Sequence, residues 1–447
     1  MKRVLIVSPH FPPVNAPDMQ RVRMSLPYYR KFGWDPVVLA VNAGDVDTAK
    51  EPELVGTVPP DVRVETCRPY SRRWTRLAGV GNLGLRAWMR LRSKGSRLLA
   101  SERFDLVFFS NTQFITFPLG RIWRRKFGVP YVLDVQDPWV TDYYQREGAP
   151  RPPGGWKYVF ARLTAKALEG WSFVRSSGVM SVSPEYIRNL CGRYPELVTV
   201  PSDVIGFGVS EADIELAARR PPQLDLGGGA GVINIVYTGA YGPILPHAAN
   251  LLFEALKTYR AANPAGAARL RFHFLGTSYV APGAGRPAVL PWAEKHGVAE
   301  LVREVPHRLG HLETLRLQRT ADALFLGGSS DRAYSPSKAY PYFLSGRPVL
   351  AVVFRGSVME QVVDELSFAH LVRISENEPT QAGCEEVHRF FDAALRGFPK
   401  ESLPRRNEAL FRERYLAETL TRRQCALFDQ AVGAVLQPAP EESSNAV

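Results

Sequence analysis

Apolar runs of four to six residues recur along this chain, each too short for a core helix and most followed by a helix-length amphipathic stretch. Val4-Leu5-Ile6-Val7, Pro36 to Val41, Leu106 to Phe109, Tyr131 to Asp134 and Gly178 to Val182 read as strands buried on both faces. A shorter strand is predicted at Val62 to Glu65, and Leu197 to Val200 closes the series. Helices are predicted over Asp18 to Phe32, Phe114 to Phe127 and about residues 153–175, with another opened by Pro184. Strand and helix repeated in this order build a parallel sheet covered by helices on both faces. Ligands then bind at the carboxyl ends of the strands.

The alternation stops once and restarts. Arg219-Arg220-Pro221-Pro222 and Gly227-Gly228-Gly229 read as a linker. Beyond them come strands at Val232 to Gly239, Leu270 to Gly276, Leu301 to Val305, Ala323 to Leu326 and Val349 to Phe354. The helices between these are predicted at Pro246 to Ala262, Trp292 to His296 and Leu312 to Arg319. The expected fold class is α/β, with two doubly wound Rossmann-like domains facing a cleft. The expected boundaries are 1–218, a linker 219–231, 232–402, a C-terminal helix 403–433 and a disordered polar tail 434–447.

The 447 residues, 45% of them hydrophobic, suffice for two full cores. No apolar run approaches the length of a membrane span, and the first is too short for a secretory signal. Cys67, Cys191, Cys384 and Cys425 are widely spaced, which argues against a zinc ribbon or a disulfide framework and suits a reducing cytoplasm. Charge is unevenly spread. From Arg68 to Arg103 there are ten Lys or Arg against the single acid Glu102, a net +9 of the chain's +12. Trp88, Leu91 and Leu98 fall on one helical face there, with Arg86, Arg90, Lys94 and Arg97 elsewhere. This stretch is either a core-packing helix with a solvated basic face or a helix lying on an anionic membrane surface, which would make the protein peripheral at the inner membrane. No recognition motif accompanies the charge, so nucleic acid is not an expected partner.

The stretch from Tyr334 to Val352 gathers the most chemistry. It reads as a loop, a short helix and a buried strand, with Ser335 or Ser337 able to cap the helix, Pro336 in its first turn and Gly346 at its end. Lys338 at the mouth of such a helix would complete an anion site, or on spacing alone is a surface lysine near a helix start.

Several blocks follow one another in a recognisable order. They are Val4 to Val7 with Phe11-Pro12-Pro13 and Arg21, then Gly128 to Trp139 and Ser181-Val182-Ser183-Pro184. Next come Ile235 to Gly239, Phe274-Leu275-Gly276, Ala321 to Leu326, and Ser337-Lys338 through Gly346-Arg347-Pro348-Val349-Leu350. Over residues 1–375 this set resembles the GT-B-fold glycosyltransferases, in particular the family-4 retaining enzymes that build bacterial polysaccharides. The resemblance implies a nucleotide-sugar co-substrate held mostly by the second domain and a glycan or lipid-linked acceptor held mostly by the first. It implies no metal and no further cofactor, and a terminal helix that crosses back to the first domain. Lys338 matches the family lysine facing the donor phosphates. Gly239, Tyr241, Gly242, Gly276, Ser335, Ser337 and Tyr342 complete the donor-side candidates. His10, Pro12, Arg21, Asn111, Asp137 and Trp139 are the acceptor-side candidates, with Asp137 either the acceptor-side catalytic carboxylate or a helix cap or turn former.

The chain also departs from the family pattern. Pro341 stands where a ribose-binding glutamate is usual, Ala333 takes the position of that glutamate's partner, and Asp331 is out of register. Val14-Asn15-Ala16-Pro17-Asp18 replaces a glycine-rich loop, and Thr238 to Ile244 carries no charge. A second reading is therefore a GT-B scaffold that binds nucleotide, glycan or a partner enzyme without turnover. A nucleotide-sugar epimerase would want converging carboxylates and histidines, which are not found. Among isolated features, His10 reads as a loop histidine without a partner. His307 and His311 are four apart but flank Gly310, which disfavours a metal pair. Asn111 and Gln113 read first as caps, and Arg347 as a helix-end cation.

Overall fold

The computed structural model describes residues 1–77, 81–140, 156–241, 245–278, 285–332, 337–375 and 380–436. Its thirteen strands form two parallel sheets. The first contains β1 (Lys2–Val7), β2 (Trp34–Val41), β3 (Arg63–Cys67), β4 (Leu106–Ser110), β5 (Tyr131–Val135), β6 (Gly178–Ser181) and β7 (Ser202–Val204), in the order β3-β2-β1-β4-β5-β6-β7. The second contains β8 (Ile233–Thr238), β9 (Leu270–Leu275), β10 (Val302–Val305), β11 (Ala323–Gly327), β12 (Val349–Phe354) and β13 (His370–Ile374), in the order β10-β9-β8-β11-β12-β13. In each sheet the order reverses once, between β1 and β4 and between β8 and β11. Those are the topological switch points of doubly wound folds. This is the GT-B pair of Rossmann-like domains.

The chain divides into two compact units, Met1–Phe207 with the chain from Ala417 onward, and Gly208–Leu416. The first unit therefore ends earlier than residue 218. Helix Glu211–Ala218 belongs to the second unit, where Asp213 takes His311 Nε2 at 2.9 Å. The Pro- and Gly-rich stretch after it also lies inside the second unit. Gln223 and Leu224 donate their amides to Glu313 Oε1 at 2.7 and 2.9 Å. The expected terminal helix is two helices divided between the units. Glu408–Tyr415 sits in the second, with Phe411 stacked on Phe343 at 4.0 Å, and Ala417–Leu436 in the first. Most of the tail lies outside the described residues.

Proline explains most other departures. Pro27 breaks the helix expected over Asp18 to Phe32 into Gln20–Ser25 and short 3-10 turns at Pro17–Met19 and Tyr29–Phe32. Pro118 opens helix Pro118–Phe127 after a 3-10 turn at Phe114–Thr116. Pro195 begins a 3-10 turn over Pro195–Thr199 where a strand is predicted, and Val198 there is 71% exposed. The edge strand forms just beyond it, pairing Ser202 with Val179.

Candidate functional site

In the second unit, β8 ends in Thr238-Gly239-Ala240 at the switch point. Gly239 has φ +103°, a conformation that favours glycine, and its amide donates to Leu275 O at 2.8 Å. A Cβ at Gly239 would stand 2.8 Å from Lys338 Cε, so the turn leaves space that the lysine stem fills. Lys338 Nζ donates to Tyr237 Oη at 2.8 Å and to Ala240 O at 3.1 Å, and sits over the Tyr237 ring, 5.0 Å from its centroid. These acceptors are all neutral. Among the described residues no carboxylate pairs with Lys338, and burial pushes the ammonium down to about 8. The residue as a whole is only partly buried, so the lost hydration belongs mainly to its charged tip.

The rest of this wall is held by buried polar bonds. Tyr342 Oη accepts from Thr238 N at 3.0 Å, and Gln318 Nε2 donates to Thr238 Oγ1 at 2.8 Å. Gly276, with φ +75°, turns out of β9 beside Gly239. Two donor-side candidates change role. Tyr342 is fully buried, with its hydroxyl engaged by Thr238. Tyr241 is buried, with its hydroxyl on Leu245 O at 2.6 Å. Both set the shape of the turn and offer nothing to a ligand. Ser337 is exposed beside Lys338. Gly242, Ser335 and Ala333 lie outside the described residues.

Helix Ala339–Ser345 starts one residue after Lys338, has no side-chain cap and spans only seven residues. An anion at this point would therefore meet the ammonium and not a helix N-terminal site. Pro341 occupies the third helical position, where no amide is needed for an intrahelical bond, so it costs the helix little. Gly346 ends the helix with φ +74°, and Arg347 Nε donates to Arg319 O at 2.7 Å.

In the first unit, the ends of β1 and β4 carry a second cluster. His10 has a partner after all. Its Nδ1 lies 2.9 Å from Asp18 Oδ1 and 3.0 Å from Oδ2. Asp18, 3% exposed, also takes Thr112 N at 3.2 Å and Thr112 Oγ1 at 3.0 Å. Burial pushes the Asp18 carboxyl up, but His10 and Thr112 outweigh it and leave the pKa below its ordinary value. With Nδ1 facing Asp18, His10 Nε2 has no partner among the described residues.

Beneath this pair, Arg21 Nε lies 2.8 Å from Asp134 Oδ2, both side chains fully enclosed. Neither Arg21 Nε nor Asp134 Oδ1 makes a well-directed hydrogen bond, so the contact is an ion pair by proximity. Ser110 Oγ and Gln136 Nε2 donate to Asp134 Oδ2 at 2.7 and 3.0 Å, and Arg21 donates to Ile205 O and Gly206 O. Arg21 is therefore buried and held by Asp134 and by the Ile205 and Gly206 carbonyls. Asn111 likewise is buried, donating to Val7 O at 3.0 Å and accepting from Gln113 N at 2.9 Å.

Asp137 lies exposed just past β5, so the upward push on its carboxyl from lost hydration and from Asp18 is screened by water. Trp139 stacks on Phe114 at 5.8 Å, and Pro12 is half-buried in the loop after β1. Among the described residues no group of three or more His, Cys, Asp or Glu gathers to hold a metal.

Sequence reasoning missed Tyr237, the Ala240 carbonyl and Asp18. A tyrosine on a strand two residues before the glycine was the available signal for the first. An acid in the proline-rich loop after β1 was the signal for the last.

Residues 20–201 match the family described as "Glycosyl transferase 4-like domain". No curated protein matches the chain. Among solved structures, sucrose-phosphate synthase from Thermosynechococcus elongatus aligns with TM-score 0.58 at 14% identity, covering 97% of this chain and 100% of that one. Anabaena HepE in complex with UDP and glucose aligns with TM-score 0.57 at 14% identity, over 96% and 100%. A UDP-forming α,α-trehalose-phosphate synthase from Burkholderia xenovorans in complex with glucose-6-phosphate aligns with TM-score 0.58 at 12% identity, over 96% and 100%. These likenesses confirm the GT-B fold.

Proposed function

We propose that this chain, GT-B in fold and glycosyl transferase 4-like over residues 20–201, moves a sugar from a nucleotide-sugar donor to a glycan or lipid-linked acceptor in cell-surface polysaccharide synthesis. The observation that carries the reading is the Lys338 ammonium at the β8/β11 switch point, buried against neutral acceptors and with no counter-ion among the described residues. Departure of a nucleoside diphosphate builds negative charge on a phosphate oxygen, and a fixed, poorly hydrated cation stabilises that charge most strongly. The Gly239 and Gly276 turns let phosphate approach backbone. His10, Asp137 and Trp139 are the acceptor-side groups that remain accessible after Arg21 and Asn111 are assigned to support. The stereochemical course is retention, with the departing diphosphate taking the acceptor's proton, so no enzymic nucleophile is required.

One observation favours a second reading, that of a binding scaffold without turnover. Pro341 supplies no carboxylate for ribose where the resembled family has one. Calorimetric titration with UDP-, GDP-, ADP- and dTDP-sugars separates the two, with UDP-sugars first because the Anabaena protein of like fold was solved with UDP. We expect one sugar nucleotide to bind and Lys338→Ala to weaken it by roughly 1.5–3 kcal/mol, the range for hydrogen bonds to charged groups. Binding of none, with Lys338→Ala indistinguishable from wild type, would sink the enzyme reading. Binding with no nucleoside diphosphate released in the presence of any glycan acceptor would favour the scaffold.

A further inference from the structure

Helix Leu83–Ser101 lies on the first unit through Ala87, Leu91, Leu98 and Gly95, all buried, which leaves its opposite face outward. On that outer face Leu85, Met89, Ser93 and Ala100 recur at helical spacing, and all four are exposed. Leu85 is 47% and Met89 50% exposed, although both are large apolar side chains. The preceding segment adds Tyr70, 45% exposed, and Trp74, 75% exposed. Tyr70 is fastened to this helix, since its amide donates to Arg86 O at 3.0 Å and Arg90 lies 5.0 Å from its ring centroid.

The basic residues here fall into two sets. Arg68, Arg72, Arg86 and Lys94 are turned toward the unit's own acids Asp45, Asp47 and Glu65. Arg73, Arg90, Arg92 and Arg97 are exposed and have no acidic partner among the described residues. Arg92 borders this outer face on one side, and Arg90 and Arg97 border it on the other. No Asp or Glu occurs between Arg68 and Ser101 to oppose them.

We propose that this outward face, centred on Leu85 and Met89 and flanked by Arg90, Arg92 and Arg97, docks the protein on an anionic lipid bilayer together with the exposed Trp74 of the preceding segment. A bilayer interface offers what the patch lacks, a sheet of phosphate charge for the guanidinium groups and acyl chains just beneath for the indole and the apolar stripe. A soluble acidic partner would satisfy the arginines alone and leave the 75% exposed tryptophan unexplained. No described helix is long and apolar enough to cross a membrane, so the association is with its surface. The proposal stands on the first unit alone and holds or fails independently of the donor site around Lys338.

The test is co-sedimentation of the full chain with phosphatidylcholine vesicles, with and without phosphatidylglycerol, at low and high salt. Two variants on exposed positions accompany it, Arg90→Ala/Arg92→Ala/Arg97→Ala and Trp74→Ser/Met89→Ser, with circular dichroism to confirm unchanged folding. We expect binding only to the anionic vesicles, weakened on the order of a hundredfold by loss of the three arginines. The second variant should lose the part of the binding that survives high salt. Absence from anionic vesicles, or binding that neither variant alters, overturns the proposal. Self-association in vesicle-free solution that the same variants abolish also overturns it, because the face would then belong to a second copy of the chain.

Discussion

Lys338 is a lysine whose environment asks for an anion, and this can be tested by pH. Burial pushes it from 10.5 to about 8, so in the free protein it is half-charged near pH 8. A bound diphosphate favours the charged form and must raise that pKa. Below pH 8 the ammonium is present before and after binding. Above it, binding has to take up a proton. The dissociation constant for a sugar nucleotide should therefore be flat below about pH 7 and rise roughly tenfold per unit beyond pH 8. Titration at pH 8 in buffers of different ionisation enthalpy should show proton uptake, and Lys338→Met should abolish both signatures. A pH-independent affinity in the wild type would mean that Lys338 does not face the phosphates. The same lysine shows what was legible in the sequence. Its place after β11 could be read from spacing and order, whereas its partners Tyr237 and Ala240 lie about a hundred residues away. His10 is the converse case. Its partner Asp18 is only eight residues distant, but the loop between them holds Pro12, Pro13 and Pro17, and no periodicity governs which side chains such a loop brings together.

At the scale of elements, the strands were legible because a strand buried on both faces is written as an unbroken apolar run. Helix ends were not, and of the four edge strands β3 and β10 were read in place while β7 was misplaced and β13 not read. Val198 and Thr199 look like a strand but face solvent, and Pro27 divides a segment whose apolar spacing alone suggests one helix. Close packing between elements leaves a different mark, in glycines that local propensity disfavours. Gly120 sits inside helix Pro118–Phe127, where a Cβ would stand 2.5 Å from Tyr131 Cδ2. Tyr131 cannot yield, being fully buried in β5 with its hydroxyl on Ser172 O at 2.6 Å. At an exposed helix position Gly→Ala stabilises by about 1 kcal/mol. Here Gly120→Ala should destabilise by about 1–3 kcal/mol through overpacking, measured as a lower urea midpoint at unchanged slope. Combined with Tyr131→Leu, most of that loss should disappear. A neutral or stabilising Gly120→Ala would show that the helix–sheet spacing is looser than described.

At the scale of the molecule, chain order and structural unit diverge at one place, the last helix. The second unit is one continuous segment, Gly208–Leu416, with apolar clusters of its own around Phe253, Phe272 and Phe325 and around Tyr342, Phe343 and Phe411. The first unit is completed only by Ala417–Leu436, whose Phe428 is fully buried. Its ring lies 4.9 Å from that of Phe108, 5.4 Å from Trp34 and 6.1 Å from Tyr29. Gln424 meets Tyr29 Oη at 2.9 Å and Ser25 Oγ at 2.9 Å on the same face. Truncating Phe428 to alanine should cost about 3–5 kcal/mol, which is a large share of the roughly 5–15 kcal/mol available to a typical domain. Removing the whole helix uncovers Trp34 and Phe108 together and should leave residues 1–207 without a cooperative fold. Expressed separately, Gly208–Leu416 should therefore melt cooperatively by calorimetry. Met1–Phe207 should do so only when a peptide spanning Ala417–Leu436 is added, with a midpoint that rises with peptide concentration. A cooperative transition of Met1–Phe207 alone, unmoved by the peptide, would show that the returning helix is an accessory to the first unit and not part of its core.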